Sequence, residues 1–291
     1  MLPRLSCAVA ALLATVSCTP GVPEPPPAAP TPVPGAPPPV APAPADAVIR
    51  FGPSTLRYVI HQQIHVEQEF QGQTSTVDRG LRAWVYAAIA GPADSLGYPL
   101  ALTIDSVIAD SGTVLPPTLA LSAIRGLVLR GRLTPTGEFR DAEPSDTTLG
   151  RTFAQLIGTF QTFYPRLPPG GLTLGAEWTD TVTTTDRTLI QVTSTAISHS
   201  RATAWEPRLG IRALRLEVTS TYTVAGSGEQ GGQPMELSGS GERSSVQFIA
   251  ADGRYLGGEA RDSAAISVNL PVQSTTVPVR QVSRSTVTVL H

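Results

Sequence analysis

Two imidazoles stand four residues apart in His61-Gln62-Gln63-Ile64-His65. That is the histidine spacing of zinc proteases, whose motif sets both rings on one helix face with a glutamate between them as general base. Here Gln62 occupies the glutamate's place, and an amide cannot accept the proton, so the protease mechanism fails. The flanking residues alternate apolar and polar as a strand does, and residues four apart on a strand are separated by about 13 Å, too far to share one metal. The pair therefore reads as an exposed strand face. A serine nucleophile on a strand-to-helix elbow needs GxSxG, which neither Gly226-Ser227-Gly228 nor Gly239-Ser240-Gly241 supplies. No SxxK can exist, because every basic residue is arginine. Asp105, Glu177, Asp180 and Asp186 are carboxylates at strand or turn positions that spacing does not pair, and His199 and His291 have no evident partner. Trp84 and Tyr86 predict a small aromatic patch, and Trp178 and Trp205 packing at strand ends. These residues predict no catalytic group, no metal ligand and no cofactor, and the chain is expected not to be an enzyme.

Cys18 offers chemistry of another kind. Met1 to Arg4 carry one positive charge, and Leu5 to Val16 form an apolar run of 12 residues, where crossing a bilayer takes about 20. Thr15-Val16-Ser17-Cys18 resembles the bacterial lipobox, in which a small residue precedes an invariant cysteine. It departs at Thr15, where the motif prefers leucine. The resemblance implies a signal peptide over residues 1–17 and acyl chains, palmitate among them, on Cys18. One chain anchors only marginally, and several on one residue hold firmly. Thr19, where lipoproteins retained at the inner membrane carry aspartate, points to the outer membrane of a two-membrane cell. The other cysteine, Cys7, falls within the signal, so the exported domain is expected to lack disulfides and to rely on its core.

Behind these residues stand the elements that position them. Thr19 to Ala45 hold 13 of the 28 prolines, and proline removes backbone donors and fixes φ, which excludes sheet and helix. Residues 18–46 are expected to form a polyproline tether reaching roughly 80 Å if extended; a ligand for a proline-binding module is the other use of such a segment. Residues 47–291 then form one β-rich domain. Formal net charge is −2 with scattered arginines, which leaves no nucleic-acid footprint. Leu56, Tyr58, Ile60, Ile64, Val66 and Phe70 share one strand face, and Arg57, His61, Gln63, His65, Glu67 and Glu69 the other. Alternation continues over 77–89 and 100–108, then over 173–184, 188–204, 209–225, 235–250, 254–270 and 275–290. Gln71-Gly72, Gly231-Gly232 and Asp252-Gly253 mark hairpins. Such long strands predict a mainly β fold: a large curved antiparallel sheet, half-barrel or barrel, with one or two covering helices. A membrane-spanning barrel would want aromatic girdles, and the chain ends Val289-Leu290-His291.

The covering helices are expected at 118–125, ended by Gly126, and at 146–164, capped by Ser145 and stopped by Pro165. On the second, Leu149, Phe153, Leu156, Ile157, Phe160 and Phe163 form one apolar stripe. The lipobox, proline tether, long strands, mid-chain helices and further long strands together resemble the LolA/LolB-like lipoprotein-carrier superfamily. That resemblance implies a half-barrel lidded by helices around an apolar cavity for lipid, and transfers no individual residue. The expected function is an envelope-anchored lipoprotein whose domain binds a lipid or other apolar ligand along Phe153, Leu156, Ile157, Phe160 and Phe163. The alternative is a structural or interaction lipoprotein without a ligand.

Overall fold

The computed structural model describes residues 47–290 except 114–119, 188–189 and 231–232, and the backbone alone at 154–156, 186–187, 190 and 230. Cys7, Cys18, the tether, Gly231-Gly232 and His291 therefore lie outside the described residues, as does the side chain of Leu156. The strands are β1 Ser54–Phe70, β2 Gln73–Ile89, β3 Tyr98–Ala109, β4 Val128–Leu133, β5 Phe139–Pro144, β6 Glu177–Arg187, β7 Ile190–Arg208, β8 Ile211–Gln230, β9 Gln233–Ala250, β10 Tyr255–Leu270 and β11 Thr275–Leu290. All join one antiparallel sheet in the order β5-β4-β3-β2-β1-β11-β10-β9-β8-β7-β6. The chain meanders outward from β1 to β5, crosses to the opposite edge at β6, and returns until β11 pairs with β1. The β4–β5 hairpin is an addition to the strands expected from alternation, because six-residue strands carry too few periods to register.

The sheet is open and curved. β5 and β6 are edges, each hydrogen-bonded to one neighbour. Leu100 and Leu102 of β3 nevertheless share a buried cluster with Leu214 and Leu216 of β8. Those strands are six steps apart, about 29 Å on a flat sheet, so the sheet must bend to bring their faces to one interior. The open side is filled at this end by coil. Ile49 and Leu172 exchange backbone hydrogen bonds of 2.8 Å, Phe51 N donates to Pro135 O at 2.9 Å, and Leu167 N to Thr136 O at 2.8 Å. Arg166 lies 3.8 Å from Glu138, just before β5, and 3.7 Å from Asp180 of β6.

The mid-chain helix differs from expectation in three ways. It is two helices, α1 Thr147–Thr152 and α2 Ala154–Gln161, broken at Phe153 with φ −109° and ψ 24°. Threonines 147, 148 and 152 and Gly150 are weak helix formers, and the Phe153 ring is drawn into the core at 4% exposure. The cap is Asp146, whose carboxylate accepts from Thr148 N at 2.8 Å and Leu149 N at 2.9 Å; Ser145 instead accepts from Val128 N at 3.1 Å, tying the turn to β4. Phe163 lies beyond the helix end, in the coil that Pro165 follows. The helix expected over 118–125 is a single 3-10 turn at Leu121–Ile124, with 118 and 119 outside the described residues.

The stripe's described side chains, Phe153, Ile157, Phe160 and Phe163, are all buried. Phe163 meets Tyr58, Tyr164 and Tyr255 edge-on with centroids 5.0–5.5 Å apart, and Phe51 meets Tyr164 at 5.4 Å. Such pairs add about 0.5–1.5 kcal/mol each beyond area burial. Tyr58 hydroxyl donates to Tyr255 O at 2.9 Å, which satisfies it inside the core; burial pushes its pKa well up.

Candidate functional site

The pleat assigns even positions of β1, β8 and β10 and odd positions of β9 and β11 to the inner face. Two apolar clusters occupy that face. One is the lidded core; the other, farther along the strands, gathers Val66, Leu237, Ile266, Val268, Val277 and Val279. Between them runs a belt of polar side chains that cross-strand register brings together. Gln62 faces Ser285, Asp262 faces both Ser283 and Arg243, and Arg243 faces Ser220, which faces Ser198. The Ser198 and Ser220 hydroxyls are 2.8 Å apart.

Asp262 is the centre of the belt and is completely buried, at 0% exposure. The Tyr222 hydroxyl donates to its Oδ1 at 2.8 Å. Tyr222 reaches it by lying across Gly241, where a Cβ would run into the phenol ring. Oδ2 finds no donor among the described residues within hydrogen-bond reach; Arg243 Nε stands 3.9 Å away. Burial pushes the Asp262 carboxyl up to about 6, while the Tyr222 hydrogen bond and the Arg243 charge pull the other way. Burial and the adjacent carboxylate push the Tyr222 phenol up as well. The carboxyl alone falls in a range, near pH 6, where it can bind and release a proton, yet a group with no exposed surface cannot meet a substrate. It is a titrating element of the interior.

The outer face carries the histidines. His61 Nε2 lies 2.6 Å from Asp110 Oδ2, and Arg82 3.6 Å from the other oxygen. Asp110 reaches over β2 because Gly80 leaves the space its carboxylate fills. His65 Nδ1 pairs separately with Asp78 at 2.8 Å. Each ring thus takes its own carboxylate, and the two do not converge, as strand spacing requires. Among the described residues no group of three or more His, Cys, Asp or Glu could hold a metal. His199 meets Thr179 Oγ1 at 3.0 Å, and Glu177 pairs with Arg201 at 3.0 Å. Trp178 and Trp205 pack against the lidded core, and the Arg57 guanidinium lies 5.8 Å from the Tyr86 ring. Two open grooves of about 620 and 770 Å³ cross β7 to β11, lined mainly by outward Thr, Ser and Ala side chains such as Thr195, Thr221, Ser240 and Ser263.

The belt was in reach of sequence reasoning. Asp262 interrupts Ala260, Ala264, Ile266 and Val268, and Gln281, Ser283 and Ser285 interrupt Val277, Val279, Val287 and Val289, all at core parity. His61–Asp110 was not, since 49 residues separate the partners.

No family model matches the chain, and no curated protein matches it. Among solved structures it is similar to the crystal structure of Acinetobacter baumannii OccAB4, at 8% identity over 85% of this chain and 100% of that one, with a TM-score of 0.22. It is also similar to that of Pseudomonas aeruginosa OpdO, at 10% identity over 84% and 99%, with a TM-score of 0.21. Likeness at that level carries no argument about function. No helix among the described residues is long and apolar enough to cross a membrane.

Proposed function

We propose that this chain is an envelope lipoprotein, acylated at Cys18 and carried by the proline tether at the outer membrane, whose β domain takes up a lipid or other apolar molecule beneath α1 and α2. The observation that supports uptake is how the lid is held. Among the described residues, no backbone hydrogen bond links 147–162 to a strand; the helices attach by side-chain burial. Burial is non-directional, so an acyl chain of similar volume can replace the stripe of Phe153, Ile157 and Phe160 against the sheet. The resemblance to LolA/LolB-like carriers belongs to the same proposal.

A second reading is display of a solid domain for interaction, with no ligand. It is favoured by the rings of Phe51, Tyr58, Phe163, Tyr164 and Tyr255, which pack against one another within the core. The Cys18→Ser chain separates the readings. It should leave the membrane fraction; a variant that still pellets with the envelope overturns the anchor. Native mass spectrometry of the released protein should find bound lipid, and fluorescent lipid should be taken up. Neither mass nor uptake leaves the display reading alone.

A further inference from the structure

The two edges of the sheet are built differently. β5 is six residues long, meets β4 through a register shift between Arg130 and Arg132, and ends in Pro144. Short, bulged, proline-bearing edges resist pairing with another strand. β6 has none of these features. It runs 11 residues without proline, and its register with β7 is unbroken from Glu177 to Arg187. Its other side presents about 36 Å of backbone donors and acceptors, and among the described residues β7 is its only strand partner.

We infer that β6 pairs antiparallel with β6 of a second copy of this chain, about a two-fold axis normal to the sheet at Val182. The sequence of the strand argues for this occupant and this register. Centred on Val182, all 11 residues are paired: Glu177 stands opposite Arg187 twice, Thr179 opposite Thr185, Thr181 opposite Thr183, Asp180 opposite Thr184 and Trp178 opposite Asp186. Opposite charges and threonine pairs are favourable directly across a ladder. β6 already makes such threonine pairs with β7, with hydroxyls 3.2 Å apart at Thr183–Thr195 and 3.4 Å at Thr185–Thr193. The two aspartates discriminate against neighbouring registers. Centring on Thr183 sets Asp180 against Asp186 twice, and centring on Asp180 sets that residue against itself. Asp180 is already answered by Arg166 at 3.7 Å. Glu177, 3.0 Å from Arg201 but with 65% of its side chain exposed, can still meet a second cation.

The test uses a full chain with Cys7 and Cys18 changed to Ser, so that an introduced thiol is alone. Val182→Cys meets its own copy at the axis and should form a disulfide-linked dimer on mild oxidation. Ser267→Cys, exposed on β10, should cross-link far more slowly. Sedimentation equilibrium of the cysteine-free chain should show a concentration-dependent dimer. Glu177→Arg or Arg187→Glu should weaken it about ten-fold, since each opposes like charges twice, and the double exchange should restore it. A monomer at every concentration, Val182→Cys linking no faster than Ser267→Cys, or single reversals that leave the dimer unchanged would each overturn the inference.

Discussion

Replacing Asp262 by Asn should remove one component of the pH dependence of stability, the part that develops between about pH 4 and 6. In the folded state the carboxyl titrates near 6 because it is wholly buried; unfolded it titrates near the ordinary value of about 3.9. Folding therefore raises its pKa, the reverse of a carboxylate gaining an ion pair. Between about pH 4 and 6 the native state holds a proton that the unfolded chain has lost, so stability falls as pH rises through this range. A difference of about two units corresponds to about 3 kcal/mol. Two effects oppose burial: first the hydrogen bond that the Tyr222 hydroxyl donates to the carboxylate, then the Arg243 charge, 3.9 Å away. At an effective dielectric of about 20 that attraction is about 4 kcal/mol, comparable with the several kcal/mol needed to strip a carboxylate of water. Burial prevails because Arg243 keeps 32% of its side chain in solvent, which screens it, while Asp262 keeps none. Urea unfolding of the native and Asp262→Asn chains at pH 7.5 and pH 4.5 measures the balance, and other titrating groups cancel in the difference between them. The Asn variant should exceed the native chain by about 2 kcal/mol more at pH 7.5 than at pH 4.5, because at pH 4.5 most unfolded chains have already lost the proton. A difference independent of pH, or one of opposite sign, would mean that the Arg243 pairing holds the carboxylate charged and would refute the reasoning.

Gly241→Ala should destabilise by about 1–3 kcal/mol in urea unfolding, because the new methyl group meets the Tyr222 ring and has no room; an unchanged midpoint would mean that the ring does not lie across β9. Phe160→Ala removes a side chain only 1% exposed and should cost about 3–5 kcal/mol; a loss under about 1 kcal/mol would show that the lid does not plug the core. Asp146→Ala leaves two α1 amides without their acceptor and should cost about 1 kcal/mol, read as faster amide exchange at Thr148 and Leu149 with the β strands unaffected.

The long strands were legible because period-2 alternation repeats over 16 to 20 residues in β8 to β11, enough cycles to outweigh any one exception. The hairpin turn at Gln71-Gly72 announced itself through residues that tolerate positive φ, 53° and 75° here. The stripe at Phe153, Ile157 and Phe160 was legible as burial but not as one helix, since the break at Phe153 arises where its ring is drawn into a core built from strands far away in the chain. The capping role passed from Ser145 to Asp146 because Ser145 is engaged by β4, a strand too short to be read.

Composition and alternation by themselves determined a mainly β domain after a proline-rich segment, the face to which each side chain of β1 belongs, and that His61 and His65 cannot share a metal. Each follows from local geometry, which neighbours in the chain dictate. Only the tertiary structure decided that the sheet stays open, that β6 has β7 as its only strand partner among the described residues, and that Asp262 sits in a polar belt between two apolar clusters with Tyr222 on one side and Arg243 on the other. Those depend on register between strands and on the curvature that folds their inner faces together, and neither is a property of any single segment.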